Sequence, residues 1–379
     1  MLIDKLGGKK VVKGPGSLKE IAKLPYKRFA LITGKSSMVQ TGVIQKIEEI
    51  LSKDNRVFRL HTGIGENPTV AEVLHAVELL SDFEPDVVLA VGGGSAIDAA
   101  KVITLLLEYP DLSVNTIRDG RAPNSREKIA FVAVPATSGT ASEVTAAAVL
   151  TFEEENLKVG LKTPAFIPDL AILDGELTLT MPPHVVAESG MDALTHALES
   201  LINKKADDVT RTLSREAALG LIENLWDSYE TCDIECRQSV HEYQNMAGVA
   251  FQAAGLGMSH GISHAFGGKY GYAHGLLNAV ALPYVLTYNS RDEQVAKELK
   301  SLSIWLNDDV IQRIQNLNEK LGIPQSFQEM GISEEDYLKD FNMLLDNAMK
   351  GSTVRNPIPM TKDEMKKVLD SIYYGKIVF

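Results

Sequence analysis

Residues 86–107 read DVVLAVGGGSAIDAAKVITLLL: a run of β-favouring apolar residues, three glycines and a serine, then an alanine-rich stretch with helical spacing. A buried strand passing through a glycine turn into a helix is the βα step of a parallel sheet. Glycine lets the backbone come close to a ligand, and the start of the following helix presents unpaired N–H groups carrying a partial positive charge. Gly92, Gly93, Gly94 and Ser95 are therefore candidates for holding a pyrophosphate. The stretch is neither GxGxxG nor a Walker A loop, since no GK[ST] follows.

The same alternation extends on both sides of this turn. RFALITG, VFRLHTG, FVAVPAT (131–137) and LAILDG (170–175) read as strands, and VIQKIEEILSK and VAEVLHAVELLSDF read as amphipathic helices between them. PATSGTASEV at 135–144 follows a buried strand and offers the hydroxyls of Thr137, Ser138, Thr140 and Ser142. Open α/β sheets bind nucleotides at the carboxyl ends of such strands. Beyond Leu179 the texture changes: MPPHVVAESGMDALTHALESLIN, DVTRTLSREAALGLIENLWDSY and VHEYQNMAGVAFQAAGL are helical throughout. Pro182 and Pro183 suit a helix start, so the expected division is an α/β domain over 1–178 and an all-α domain over 179–379. KGSTVRNPIPMTKDEM reads as a loop into a terminal helix, with Thr361 and Glu364 as its capping box.

Bulk properties narrow the function classes. A chain of 379 residues exceeds what one hydrophobic core usually supports. Its apolar share of 45% and charged share of 23% belong to a globular protein. A net charge of −12, with no dense Lys/Arg run, disfavours nucleic acid and anionic membrane as partners. No segment approaches the roughly 18 consecutive apolar residues of a membrane span, and the N-terminus lacks a long apolar leader. Cys232 and Cys236 are too few for a disulfide scaffold and are read as two thiols on one helix, so a cytoplasmic setting is expected.

Three of the eight histidines fall in HGISHAFGGKYGYAH, residues 260–274. His260 and His264 stand at i and i+4, and His274 follows a glycine-rich bend able to fold it back. Asp192 and His196 form a second i, i+4 pair in GMDALTHALES. A carboxylate with imidazoles is a suitable ligand set for a divalent ion such as Zn²⁺, Fe²⁺ or Ni²⁺. Spacing alone does not choose which three histidines bind. A metal with an open coordination position activates a carbonyl or hydroxyl oxygen, and a nicotinamide in the same protein makes hydride transfer the reaction class. His61, His75, His184 and His241 have no comparable company.

Taken together, GGGSAIDAAK, PATSGTASEVT, the NPT at 67–69, GMDALTHALES, and HGISHAFGGKYGYAHG with NAVALPYVL shortly after it resemble the iron-containing, or group III metal-dependent, alcohol dehydrogenases. The likeness runs over essentially the whole chain. It implies a Rossmann-like parallel-sheet domain followed by a helical domain, the dehydroquinate synthase-like fold. It also implies Asp192, His196, His260 and His274 as ligands of Fe²⁺ or Zn²⁺, with His264 beside the nicotinamide. Gly92 to Ser95 would hold the pyrophosphate of NAD(H) or NADP(H), with Asp98 nearby. Thr137, Ser138 and Ser142 would line the dinucleotide, and Lys158 would contact its ribose. A homodimer or larger homo-oligomer is implied as well.

Three positions depart from the family pattern. Gly34 and Lys35 stand where NAD-preferring members often carry an acid, which leaves NAD and NADP both open. Ala136-Thr137 replaces a Thr pair, and NPI replaces NPR near the C-terminus. The expected activity is metal-dependent interconversion of small aldehydes and alcohols, with lactaldehyde, hydroxypropanal, butanal and anionic aldehydes such as sulfoacetaldehyde as substrates of the right kind. The rivals are a dehydroquinate synthase-type lyase, for which no Lys/Arg-rich phosphate pocket is evident, and a non-catalytic metal or nucleotide binder.

Overall fold

The apolar runs become strands because their side chains are buried on both faces, leaving backbone pairing as the way to satisfy N–H and C=O groups. The computed structural model describes residues 10–155 and 157–379. Its strands are β1 (Val11–Lys13), β2 (Arg28–Gly34), β3 (Val57–Ile64), β4 (Val87–Gly92), β5 (Ala130–Pro135), β6 (Ala147–Phe152), β7 (Leu157–Lys162) and β8 (Leu170–Leu173). Six of them make one sheet in the order β1-β8-β5-β4-β2-β3, parallel at every pairing. The helices of this part are α1 (Ser37–Gln40), α2 (Val43–Leu51), α3 (Val70–Ser81), α4 (Gly94–Glu108) and α5 (Val114–Arg118).

Side-chain alternation assigns the two faces of the sheet. Ala30, Ile32, Val88 and Ala90 pack with Val73, Ala76 and Ile103 on one side. Phe29, Leu31, Val87 and Leu89 pack with Ile44, Ile47 and Leu51 on the other. β6 and β7 form a separate antiparallel hairpin in register from Ala147↔Lys162 to Phe152↔Leu157, an element with no counterpart among the expected strands.

The chain divides into two compact units between Thr180 and Met181. Pro182 is the N-cap of α6 (Pro183–Ile202) and Pro183 its first residue, where a missing N–H costs nothing. The second unit continues with α7 (Asp208–Glu230), α8 (Ile234–Ala254), α9 (Met258–Tyr270), α10 (His274–Asn289), α11 (Glu293–Leu306), α12 (Val310–Lys320), α13 (Glu334–Ala348) and α14 (Lys362–Tyr374). Its core gathers Met191, Leu194, Leu198, Ile262, Phe266 and Leu282. None of the described helices is long and apolar enough to cross a membrane.

Two local expectations are corrected. Cys232 sits in a left-handed turn (φ 55°) before α8, so the two thiols do not share a helix: only Cys236 lies within it. In the stretch 350–365, Gly351–Arg355 is a 3-10 turn rather than open loop, while Thr361 does cap α14 by accepting from the Glu364 N–H at 3.2 Å.

Asp174 closes the first unit. Buried at the end of β8, it accepts from the N–H groups of Gly16 (2.9 Å), Leu18 (2.8 Å) and Glu176 (3.1 Å). Replacing Asp174 by Ala strands those donors, and each buried unsatisfied group costs about 1–3 kcal/mol. The expected outcome is a lower denaturant midpoint, followed by far-UV circular dichroism in urea.

Candidate functional site

Two sets of residues carry chemistry, one in each unit. In the first unit β4 ends at Gly92, whose φ of +149° excludes most side chains, and α4 begins at Gly94. The reason for three glycines is packing as much as ligand access. A Cβ on Gly94 would lie 2.5 Å from Thr140 Oγ1 and 2.8 Å from its Cγ2, and one on Gly92 would lie 3.1 Å from the Ala96 Cβ. The hydroxyl-rich loop after β5 is thus seated directly on the turn. Thr137 lies 3.5 Å from where a Gly93 Cβ would stand, and Ser138 and Ser142 are buried behind it.

The open side of the turn faces a cavity of about 750 Å³ lined by Gly34, Lys35, Ser36, Thr69, Gly93 and Ser95, among others. Glycine backbone and a helix start beside small hydroxyl side chains suit a pyrophosphate. Lys35, largely exposed, stands 3.7 Å from Glu72, which itself completes a capping box with Thr69. Asp98 and Lys158 are placed differently from the turn residues. The Asp98 carboxylate accepts from the Val149 N–H at 2.9 Å and stands 3.5 Å from the buried ammonium of Lys101, so it braces α4 against the hairpin. Lys158 is exposed on β7 opposite Thr151 and is not among the residues lining the cavity.

In the second unit, α6, α9 and α10 bring Asp192, His260 and His274 together. One ligand atom from each lies within 4.8 Å of the others. Asp192 Oδ1 is 3.8 Å from His260 Nε2 and 3.9 Å from His274 Nε2. A tetrahedral ion with bonds of about 2.1 Å holds its ligand atoms about 3.4 Å apart, so the two Asp192 pairs stand a few tenths of an ångström too wide and, within the 4.8 Å span of the group, seating an ion draws the three side chains inward. His196 is on the other side of the same carboxylate, its Nε2 3.9 Å from Asp192 Oδ2, its ring stacked on His260 at 4.7 Å and tilted against Phe251 at 4.5 Å. It adjoins the tight group of three without being part of it. His264 is exposed, stacked on His274 at 4.8 Å with the rings 13° from parallel.

Electrostatics favour cation binding. Burial alone would raise the Asp192 carboxyl, but the imidazoles of His196, His274 and His260, with the Asn278 amide, outweigh it and hold the group at about 2. Burial, reinforced by the neighbouring His196 and His274, lowers His260 well below the ordinary imidazole value. An ionised carboxylate beside an imidazole that burial disposes to be neutral is a pairing suited to a divalent ion. The donor set fits such an ion.

Two polar residues here escaped the sequence reading. Asn278 places its Nδ2 2.8 Å from Asp192 Oδ1, 3.3 Å from His260 Nε2 and 3.1 Å from His274 Nε2, with its Oδ1 accepting from Ser263. Glu199 lies behind His260, at 2.7 Å from its Nδ1. The signal was periodic: Asp192, His196 and Glu199 occupy i, i+4 and i+7 on α6, and Asn278 is i+4 from His274 on α10. On otherwise apolar helices such polar positions share one face.

Comparison with known proteins bears on both sites. The model of a family described as iron-containing alcohol dehydrogenase matches residues 8–175, and that of the C-terminal part of the Fe-containing alcohol dehydrogenases matches 186–373. The chain belongs to the iron-containing alcohol dehydrogenase family. It is 38% identical over 372 residues to the NADPH-dependent butanol dehydrogenase of Clostridium saccharobutylicum, covering 96% of each chain. It is 30% identical over 377 residues to the 1-propanol dehydrogenase PduQ of Salmonella typhimurium, covering 96% of this chain and 98% of that one. Among solved structures, the iron-containing alcohol dehydrogenase of Thermococcus thioreducens superposes with a TM-score of 0.89 at 29% identity, over 97% of this chain and 98% of that one. The parallel six-stranded sheet with its helical second unit is the dehydroquinate synthase-like fold of these enzymes. As a member of the family, the protein is an oxidoreductase working with a divalent metal and NAD(H) or NADP(H) on alcohols and aldehydes.

The contact between Gly94 and Thr140 is testable. Gly94→Ala is expected to displace the hydroxyl loop and weaken dinucleotide binding about tenfold or more, as followed by nicotinamide fluorescence. Adding Thr140→Ala to the same chain should recover much of the loss, because contacting residues are energetically coupled.

Proposed function

We propose that this member of the family reduces short, uncharged aliphatic aldehydes, and oxidises the matching primary alcohols, at a metal held by Asp192, His196, His260 and His274. The observation that carries the reading is the convergence of Asp192, His260 and His274 within 4.8 Å inside the helical unit. When bound, the ion supplies a Lewis acid for the carbonyl oxygen and the nicotinamide supplies the hydride. The chain's own residues do the rest. Asp192, ionised down to about pH 2, provides the charge that draws the cation in. His260 and His274 turn Nε2 toward the same point, and the neutral form of His260 leaves its lone pair available. His264, exposed and stacked on His274, is placed to exchange a proton with solvent as alkoxide charge is quenched.

The side chains seen against this cluster support an uncharged substrate. Of the side chains in contact with its residues, Phe251 is an apolar ring against His196. The relatives that act on butanol and propanol point the same way.

For the dinucleotide we propose NADPH in preference to NADH. The loop after β2 contributes Lys35, Ser36 and Ser37 to the lining of the glycine-turn cavity, a cation and two hydroxyls where a carboxylate would repel a 2′-phosphate.

Metal-loaded protein assayed with NADPH, NADH and a panel of aldehydes is expected to oxidise NADPH with butanal or propanal and to stop when a chelator strips the ion. Failure of every aldehyde with either cofactor overturns the reading. His260→Ala should lose ion and turnover together, whereas His264→Ala should retain the ion, measured by elemental analysis, with kcat lower by about 10²-fold. Lys35→Asp should lower the NADPH:NADH ratio of kcat/KM at least tenfold, about 1.4 kcal/mol, in initial-rate assays.

A further inference from the structure

Glu199 is buried at 2% exposure on α6, one turn beyond His196, and its two backbone partners are both N–H donors. Its Oε1 accepts from the Ser259 N–H at 2.6 Å, and its Oε2 accepts from the Gly257 N–H at 2.8 Å and faces His260 Nδ1 at 2.7 Å. These are the residues that open α9, a helix with no side-chain cap of its own. Gly257 is part of the arrangement, because a Cβ there would come within 3.1 Å of Glu199 Oε1. A carboxylate already holding two backbone donors accepts from Nδ1, which makes Nδ1 the protonated ring nitrogen of His260.

The opposite edge of the same ring gives the same answer independently. His260 Nε2 faces the Asn278 Nδ2 at 3.3 Å, and the Asn278 Oδ1 is fixed as the acceptor from Ser263 at 2.6 Å. An amide nitrogen has protons to give and no lone pair to receive one, and although it shares two protons among Asp192 Oδ1 at 2.8 Å, His274 Nε2 at 3.1 Å and His260 Nε2 at 3.3 Å, it suits an Nε2 that presents its lone pair and not an N–H. That lone pair points toward Asp192 and His274.

We propose that Glu199 is a positioning residue for the metal site: it holds His260 in the Nδ1–H tautomer and turns Nε2 toward the point where Asp192 and His274 meet. The inference rests on reading those three residues as ligands. Carboxylates bonded to the far nitrogen of a ligating histidine fix its ring and raise its basicity, and losing one typically weakens metal binding 10- to 100-fold. Glu199 joins Asp192 and His196 on one face of α6, so a single helix supplies two of the proposed ligands and the support of a third.

The test measures Co²⁺ affinity by chelator competition, together with the Co²⁺ absorption spectrum, in the full-length wild type, Glu199→Gln and His260→Ala. Glu199→Gln keeps the side chain's shape but cannot accept from three donors. Its Kd is expected to rise 10- to 100-fold with an altered Co²⁺ spectrum, while the near-UV dichroism of the metal-free protein stays as in wild type. ¹⁵N-histidine NMR of the wild type supplies a second readout that needs no variant to fold stably. His260, recognised by its loss in His260→Gln, should show a protonated Nδ1 and an unprotonated Nε2. A His260→Ala protein that loses the ion beside a Glu199→Gln protein with wild-type Kd and spectrum overturns the role of Glu199 alone, as does the opposite tautomer in the wild type. A wild type that binds no Co²⁺, or His260→Ala binding as tightly as wild type, overturns the ligand reading beneath it.

Discussion

Asp192 is a charge held inside the helical unit, and taking a carboxylate out of water costs several kcal/mol unless its surroundings compensate. Here three imidazoles and one amide face it from α6, α9 and α10, and they lower its proton affinity despite burial. The three helices cannot shift independently without exposing that charge to apolar neighbours such as Met191, Leu194, Ile262 and Leu277. Gly275 shows how tight the fit is: a Cβ there would lie 2.1 Å from the Glu188 carbonyl oxygen, so α10 reaches α6 only because residue 275 has no side chain. The cluster is a constraint on the fold as well as a place for chemistry.

The first unit solves a different problem by similar means. Its glycine turn is packed against Thr140 and Ala96, which leave no room for a Cβ on Gly94 and little for one on Gly92. The buried Lys101 donates to Thr145 at 3.0 Å and to the Ala147 carbonyl at 2.6 Å, tying α4 to the strand that follows the hydroxyl loop. The glycine-turn cavity is thereby carried on braced elements, as a site that must repeat one geometry requires.

Membership of the iron-containing alcohol dehydrogenases gives each of these arrangements a chemical setting. Within it, Lys35 in place of an acid and Phe251 against His196 are features of this chain, one of charge and one of shape.

Local pattern alone determined the parallel α/β half, the helical half and the proline-marked passage between them, because burial on both faces of a sheet or one face of a helix writes a period into the chain. β1 and the β6–β7 hairpin left no comparable mark: β1 has three residues at the sheet edge, and the hairpin alternates weakly around an acidic turn. The histidine-rich segment shows the other limit. His260 and His264 are near in sequence, yet a rise of about 6 Å over four helical residues separates them, and His264 stays at the surface. The partner that meets His260 is His274, returned by the left-handed Gly271 at the end of α9. Residue types and periods announced that a cation site was available. Which nitrogen faces which oxygen was decided only when three helices packed, since ligand convergence is a matter of distances between elements that sequence spacing does not contain.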